Sequence, residues 1–152
     1  MERKKVLQVA VVGGGEQDGE ILSIAREVGS VIARLGAVVV CGGLGGVMEA
    51  VARGAKLHDG TTVGILPSYA HDESNPFIDI TIPTGLGHAR NILVASAGDV
   101  VVALPGSHGT RAEVSIALIL GRSVFGLRAW GEIPGVQQLR NPSDLLKLLP
   151  NI

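Results

Sequence analysis

Val100-Val101-Val102-Ala103-Leu104-Pro105-Gly106-Ser107-His108-Gly109-Thr110-Arg111-Ala112-Glu113 is the stretch whose reading decides the fold. Its first five residues are apolar and predict a buried strand. The run that follows, from Val114 to Leu120, is apolar too and predicts a buried helix over 110–120. A glycine-bearing turn therefore joins the end of a strand to the start of a helix. The first backbone N–H groups of a helix have no partner within it, and its dipole is positive at that end. Such a turn is a natural seat for a phosphate or another oxyanion. Glu113 stands one turn inside the helix.

The same alternation extends in both directions. Val6–Val12, Ala37–Cys41, Thr62–Leu66, Ile78–Ile82 and Ser123–Leu127 read as further strands. Helices are predicted over Gly19–Leu35, Gly46–Leu57 and His88–Ala97. In the first of these, Ile21, Ala25, Val28, Ile32 and Leu35 share a face, and Gly36 is the expected C-cap. Residues 67–77 are polar, carry Pro67 and Pro76, and read as a loop. Ile78–Ile82 alternates, as an edge strand does. Asn141-Pro142-Ser143-Asp144 opens a last short helix.

Nearly continuous apolar strands separated by helices imply a mostly parallel sheet covered on both faces. The expected fold is therefore one α/β domain of three layers over residues 1–152. In such sheets ligands bind beyond the C-terminal ends of the strands. Three glycine turns fall there: Gly13-Gly14-Gly15, Gly42-Gly43-Leu44-Gly45-Gly46 and Pro105-Gly106-Ser107-His108-Gly109. A parallel sheet would gather all three on one edge.

Composition narrows the classes. Apolar residues make up 46% and charged residues 18%, the balance of a globular chain rather than a disordered one. Aromatics are only 3%, so Val, Leu, Ile and Ala must build the core. Glycine, at 22 of 152, is about twice its usual share of ~7% and falls mostly in turns. A net charge of −1, with no basic run beyond Arg3-Lys4-Lys5, argues against a nucleic-acid partner. The run at 3–5 reads as a solvated end. Cys41 is the only cysteine and reads as a reduced core residue, with thiolate chemistry the alternative. No apolar run reaches the ~20 residues of a membrane span, and no signal-peptide pattern precedes the first strand. A cytoplasmic location is expected.

Familiar motifs are missing. Neither early turn completes G-x-G-x-x-G at its required spacing, and there is no G-x-x-x-x-G-K-[ST] or G-x-S-x-G. His58, His71, His88 and His108 are scattered without partner cysteines, so no metal site is expected. None of Lys4, Lys5, Lys56 or Lys147 lies in a glycine turn, which argues against pyridoxal chemistry.

Gly42-Gly43-Leu44-Gly45-Gly46-Val47-Met48-Glu49, then Ala89-Arg90-Asn91, then Pro105 to Glu113 resemble the LOG superfamily along nearly the whole chain. That group includes the "lonely guy" cytokinin riboside monophosphate phosphoribohydrolases. Its signature is a GGG-x-x-GLM turn, an Arg–Lys pair and PGG-x-GT-x-x-E. The chain is most similar to the short LOG-like proteins and the molybdenum cofactor carrier proteins, which show an Arg–Asn pair. The resemblance implies a Rossmann-like fold. It also implies that Arg90 and Glu113 match the hydrolases' catalytic pair, and that Gly109 and Thr110 match their phosphate-binding turn. Asn91 stands where the hydrolases carry Lys, which removes a charge. Ser107 stands where they carry a second Gly, which adds a side chain beside the anion seat.

The expected ligand-binding set is Gly14, Gly43, Gly45, Gly46, Gly106, Ser107, His108, Gly109 and Thr110, with Arg90 and Glu113 as the candidate catalytic pair. Plainer readings stand beside these. Thr110-x-x-Glu113 is also a capping box. Arg90 could form an ion pair with Glu113 or Glu49. His108 could be a solvated loop residue, and Met48 reads as core. The glycines of 42–46 could serve positive φ and tight packing alone. The helix after the turn, apolar all round, should be buried on every side, and that points to a subunit interface. LOG-family dimers support the same expectation of a homodimer or larger.

The favoured expectation is a protein that binds a phosphorylated, nucleotide-like ligand, such as a molybdenum cofactor or other pterin carrier, with no cofactor required for catalysis. The alternative is a LOG-type hydrolase that cleaves the N-glycosidic bond of a nucleoside monophosphate. A DNA-processing relative is the third reading, which the charge disfavours.

Overall fold

The structure is a computed structural model that describes residues 4–152; Arg3, the first residue of the basic run, lies outside the described residues together with Met1 and Glu2. Seven strands form one sheet: β1 Gln8–Val12, β2 Val38–Cys41, β3 Thr61–Leu66, β4 Ile80–Pro83, β5 Val100–Ala103, β6 Ser123–Leu127 and β7 Val136–Leu139. Their order is β4-β3-β2-β1-β5-β6-β7, and every pairing is parallel. Five α-helices connect or flank them: α1 Gly19–Arg34, α2 Val47–Lys56, α3 Arg90–Ala97, α4 His108–Ile119 and α5 Leu145–Leu148.

The first strand, β1, lies in the middle of the sheet; from it the chain steps outward through β2 and β3 to the β4 edge and returns through α3 to β5 on the other side of β1. The strand order reverses between β1 and β5, and this switch point opens a crevice at the C-terminal ends of those strands. The central strands β1 and β5 are buried on both faces, which explains their unbroken Val and Ala runs. Side chains alternate between the two faces. Val9 and Val11 pack toward α1, α2 and α5, whereas Ala10 and Val12 pack toward α3 and α4.

Helix α1 is capped by the Asp18 carboxylate, which accepts from Ile21 N at 3.0 Å, and buries Ile21, Ala25, Val28 and Ile32. Gly36 follows it at φ 71°, as the C-cap reading expects. Strand β4 does lie at the sheet edge. Two expectations change. The last strand, β7, was not legible, because VQQL is short and half-exposed at the other edge. Helix α4 begins at His108 with Ser107 as N-cap, two residues before the predicted start. Thr110 and Glu113 are therefore interior helix positions, and the capping box does not form. Ile119, the last residue of α4, is 82% exposed in the single chain, so nothing within the chain covers this end of the apolar helix. Among the described residues no helix is long and apolar enough to cross a membrane.

Candidate functional site

The three glycine turns meet at the switch point. Gly14 N donates to Pro105 O at 2.9 Å, and Val47 N donates to Gly14 O at 3.0 Å. The first contact ties the turn after β1 to the turn after β5, and the second ties it to the start of α2. Glycine is required at these seams because backbone meets backbone. A Cβ on Gly46, which sits at φ 65°, would lie 2.4 Å from Gly14 O. One on Gly106 would lie 2.1 Å from Thr110 Oγ1, and one on Gly14 would lie 3.2 Å from Gly106 Cα. Gly43, at φ 78°, is wedged against Leu66 and Gly64 of β3. Packing and positive φ thus account for Gly14, Gly43, Gly46 and Gly106. Gly45 and Gly109 differ, for a Cβ on Gly45 would meet nothing and one on Gly109 only Asn91 Nδ2 at 3.5 Å. These two glycines face open space.

Helix α4 has no side-chain cap, and its first intrahelical bond runs from Arg111 N to Ser107 O at 3.0 Å. The N–H groups of His108, Gly109 and Thr110 have no partner among the described residues. Thr110 is buried, while Ser107 and His108 are exposed at the rim.

Beside this turn lies a buried polar cluster. Arg90 opens α3 and is only 9% exposed; Asn91 and Glu113 are buried next to it. The guanidinium donates through Nη1 to Asn91 Oδ1 and, at a long 3.5 Å, through Nη2 to Gly42 O. Gly42 is glycine because a Cβ there would come within 2.6 Å of both Arg90 Nη2 and Met48 Sδ. Arg90 Nε has no partner. A buried donor left unpaired costs about 1–3 kcal/mol. Asn91 holds Arg90 through Oδ1, and its Nδ2 is the atom that borders the open space beside Gly109.

No ion pair joins Arg90 to Glu113 or Glu49 among the described residues. Burial pushes Glu113 up to about 7, and the opposing charge of Arg90 only moderates the rise. Burial likewise lowers Arg90 from the usual guanidinium value, countered by Glu113. The Cys41 thiol, fully enclosed beneath them, is pushed up to about 11 and stays protonated. The thiolate reading of Cys41 is thereby set aside. No group of three His, Cys, Asp or Glu side chains able to hold a metal ion occurs among the described residues.

One part of this region was not anticipated. A cleft of about 510 Å³ lies between the start of α4, with Pro105–His108 and Arg111, and the segment after β6, with Ala129, Trp130 and Glu132. Trp130 is buried at φ 72°, and its indole N–H donates to Leu104 O at 2.8 Å. Arg111 lies 5.8 Å from the indole centroid and 3.9 Å from Glu132 Oε1. The chain's single tryptophan, just past the C-terminal end of a strand, was the available signal.

The family model described as "SLOG cluster4 family" matches residues 6–148. An "Uncharacterized protein" of Archaeoglobus fulgidus is 43% identical over 140 residues, covering 92% of each chain. The structure is similar to the molybdenum cofactor binding protein of Rippkaea orientalis, with a TM-score of 0.93, 34% identity and 98% of each chain covered. It is also similar to the molybdenum cofactor carrier protein of Chlamydomonas reinhardtii, with a TM-score of 0.88, 30% identity, and 97% and 98% coverage of the two chains.

Proposed function

Because the chain belongs to the SLOG cluster4 family, we propose that it binds a phosphorylated, pterin- or nucleotide-like ligand at the switch point and carries it without breaking it down. The observation that carries this reading is the pairing of two unfilled donor sets. One is the row of free N–H groups at the start of α4, and the other is the buried Arg90 with its unpartnered Nε. The N–H groups offer an anion its hydrogen bonds, and the buried Arg90 adds positive charge behind them. The names of the two structural relatives favour a molybdenum cofactor as cargo.

In this reading the N–H groups of His108, Gly109 and Thr110 hold the phosphate, and Ser107 rims it. Arg90 supplies the cation, steadied by Asn91. Gly45 keeps the approach open, and Gly14, Gly43, Gly46 and Gly106 fix the turns against one another. A carrier of phosphorylated cargo would work in the cytoplasm. The near-neutral net charge supports a small ligand over nucleic acid. The uncovered Ile92 and Leu93 of α3 and Ile119 of α4, with Leu120 just after it, support a homodimer through that face.

A second reading, the LOG-type hydrolase, is favoured by Glu113 alone. A carboxyl group that titrates near 7 suits a general acid or base at neutral pH. The two readings separate in one assay. Wild type is incubated with nucleoside monophosphates, and free base is followed by chromatography alongside binding by thermal shift. The carrier reading expects a rise in melting temperature and no base. Release of base that falls by about 10²-fold or more in Glu113→Gln would establish the hydrolase instead.

A further inference from the structure

We propose that the cleft between the 105–108 turn and the segment after β6 holds the heterocycle of the ligand, and that Arg111 and Glu132 select a purine- or pterin-like bicyclic ring. This inference rests on the phosphate seat proposed above. The cleft begins where that seat ends, since Pro105, Ser107 and His108 line it and the free N–H groups start at His108. The cleft, of about 510 Å³, is open to solvent, so a ring in it would lie against the Trp130 wall with its other side wet.

The chemistry of the walls is that of a ring site. Pro105, Ala129 and Trp130 give apolar surface. Arg111 offers a planar group with only donors, and Glu132, 3.9 Å away, offers only acceptors. Guanine and pterin rings place a carbonyl acceptor beside N–H donors on one edge, which matches an adjacent arginine and carboxylate. A pyrimidine is smaller and fills less of the cleft.

The backbone supports a built wall rather than a chance surface. Arg128 and Trp130 both sit at positive φ, 63° and 72°, and a bulky aromatic in that region is a true outlier. Two contacts hold Trp130 there: its indole bond to Leu104 O and the bond from Ile133 N to Trp130 O at 3.1 Å. The Arg111–Glu132 pair gives no stabilising reason for the arrangement. Both side chains are more than 60% exposed, and such pairs contribute little.

Trp130 is the chain's only tryptophan, so its fluorescence reports on the cleft directly. The test titrates ribose 5-phosphate, guanosine monophosphate and cytidine monophosphate into wild type and into the double variant Arg111→Ala, Glu132→Ala. Trp130 emission and calorimetry are read together. Wild type should bind guanosine monophosphate about tenfold more tightly than ribose 5-phosphate or the cytidine nucleotide, and only the guanine ring should quench Trp130. In the double variant the ratio of guanosine monophosphate to ribose 5-phosphate affinity should fall to about one. An unchanged ratio in the variant, or tight guanosine monophosphate binding that leaves Trp130 emission unmoved, would overturn the proposal while leaving the phosphate seat intact. Failure of ribose 5-phosphate and both nucleotides to bind would overturn the seat, and the cleft with it.

Discussion

The α1–α2 face and the α3–α4 face cover the same sheet by opposite means. On the first, glycines let two helices touch backbone to backbone. A Cβ on Gly29 would lie 2.0 Å from Val51 O, and one on Gly54 would lie 1.9 Å from Arg26 O. Ser30 Oγ closes the seam with a hydrogen bond to Gly54 O at 3.1 Å. On the second face the helices bury Arg90, Asn91 and Glu113 and leave Ile92 and Ile119 uncovered. One face spends its glycines on stability. The other accepts buried charge and bare apolar surface, both of which cost stability in an isolated chain. Function is therefore expected on the second face and at the edge it shares with the glycine turns.

The largest effect should come from the sealed face. Gly54→Val forces α1 and α2 apart, because the new side chain meets backbone that cannot turn away. A loss of about 3 kcal/mol or more is expected in urea unfolding, at the high end for overpacking. A loss below about 1 kcal/mol would show that the seam is looser than its distances imply.

The next effect belongs to the open face and depends on pH. Glu113 titrates at about 7 in the folded protein against 4.5 when unperturbed, so the unfolded chain gives up its proton first. Stability from this group is fully present below about 4.5 and is lost as pH rises through about 7. The upper bound on the loss is about 3 kcal/mol, from 1.36 kcal/mol per unit. Unfolding at a series of pH values should show that decline in wild type and a flatter profile in Glu113→Gln. Identical slopes in the two proteins would mean that Glu113 is hydrated.

The smallest effect on stability, and a large one on assembly, is expected from Ile92→Glu with Ile119→Glu. Both positions are exposed, so unfolding free energy should change by no more than about 0.5 kcal/mol each. Light scattering should nevertheless report a lower mass. A wild type that is already monomeric at high concentration would remove the interface from the account.

How much of this was legible in the sequence follows from the kind of signal each part carries. Strands β1, β2 and β5 announce themselves because burial on both faces demands unbroken apolar runs. The convergence of the turns followed from parallel strands alone. The start of α4 was misplaced because Thr110 and Glu113 stand at the spacing of a capping box, whereas Ser107 occupies the N-cap with no side-chain bond to mark it. The individual glycines could not be sorted, since only coordinates separate Gly106, pressed on Thr110, from Gly109, which faces space. The Trp130 wall depends on the adjacency of β5 and β6 and on a left-handed backbone, and neither has a local sequence signature.

The central claim is that the start of α4, with Arg90 behind it, is an anion seat. Gly109→Val tests it most directly, because a Cβ there meets only Asn91 Nδ2, at 3.5 Å, and projects into the space beside the N–H groups. Calorimetric titration of guanosine monophosphate into wild type should give one site per chain. In Gly109→Val, with its melting temperature essentially unchanged, affinity should fall by at least about tenfold, or about 1.4 kcal/mol. Wild-type affinity in that variant would contradict the account.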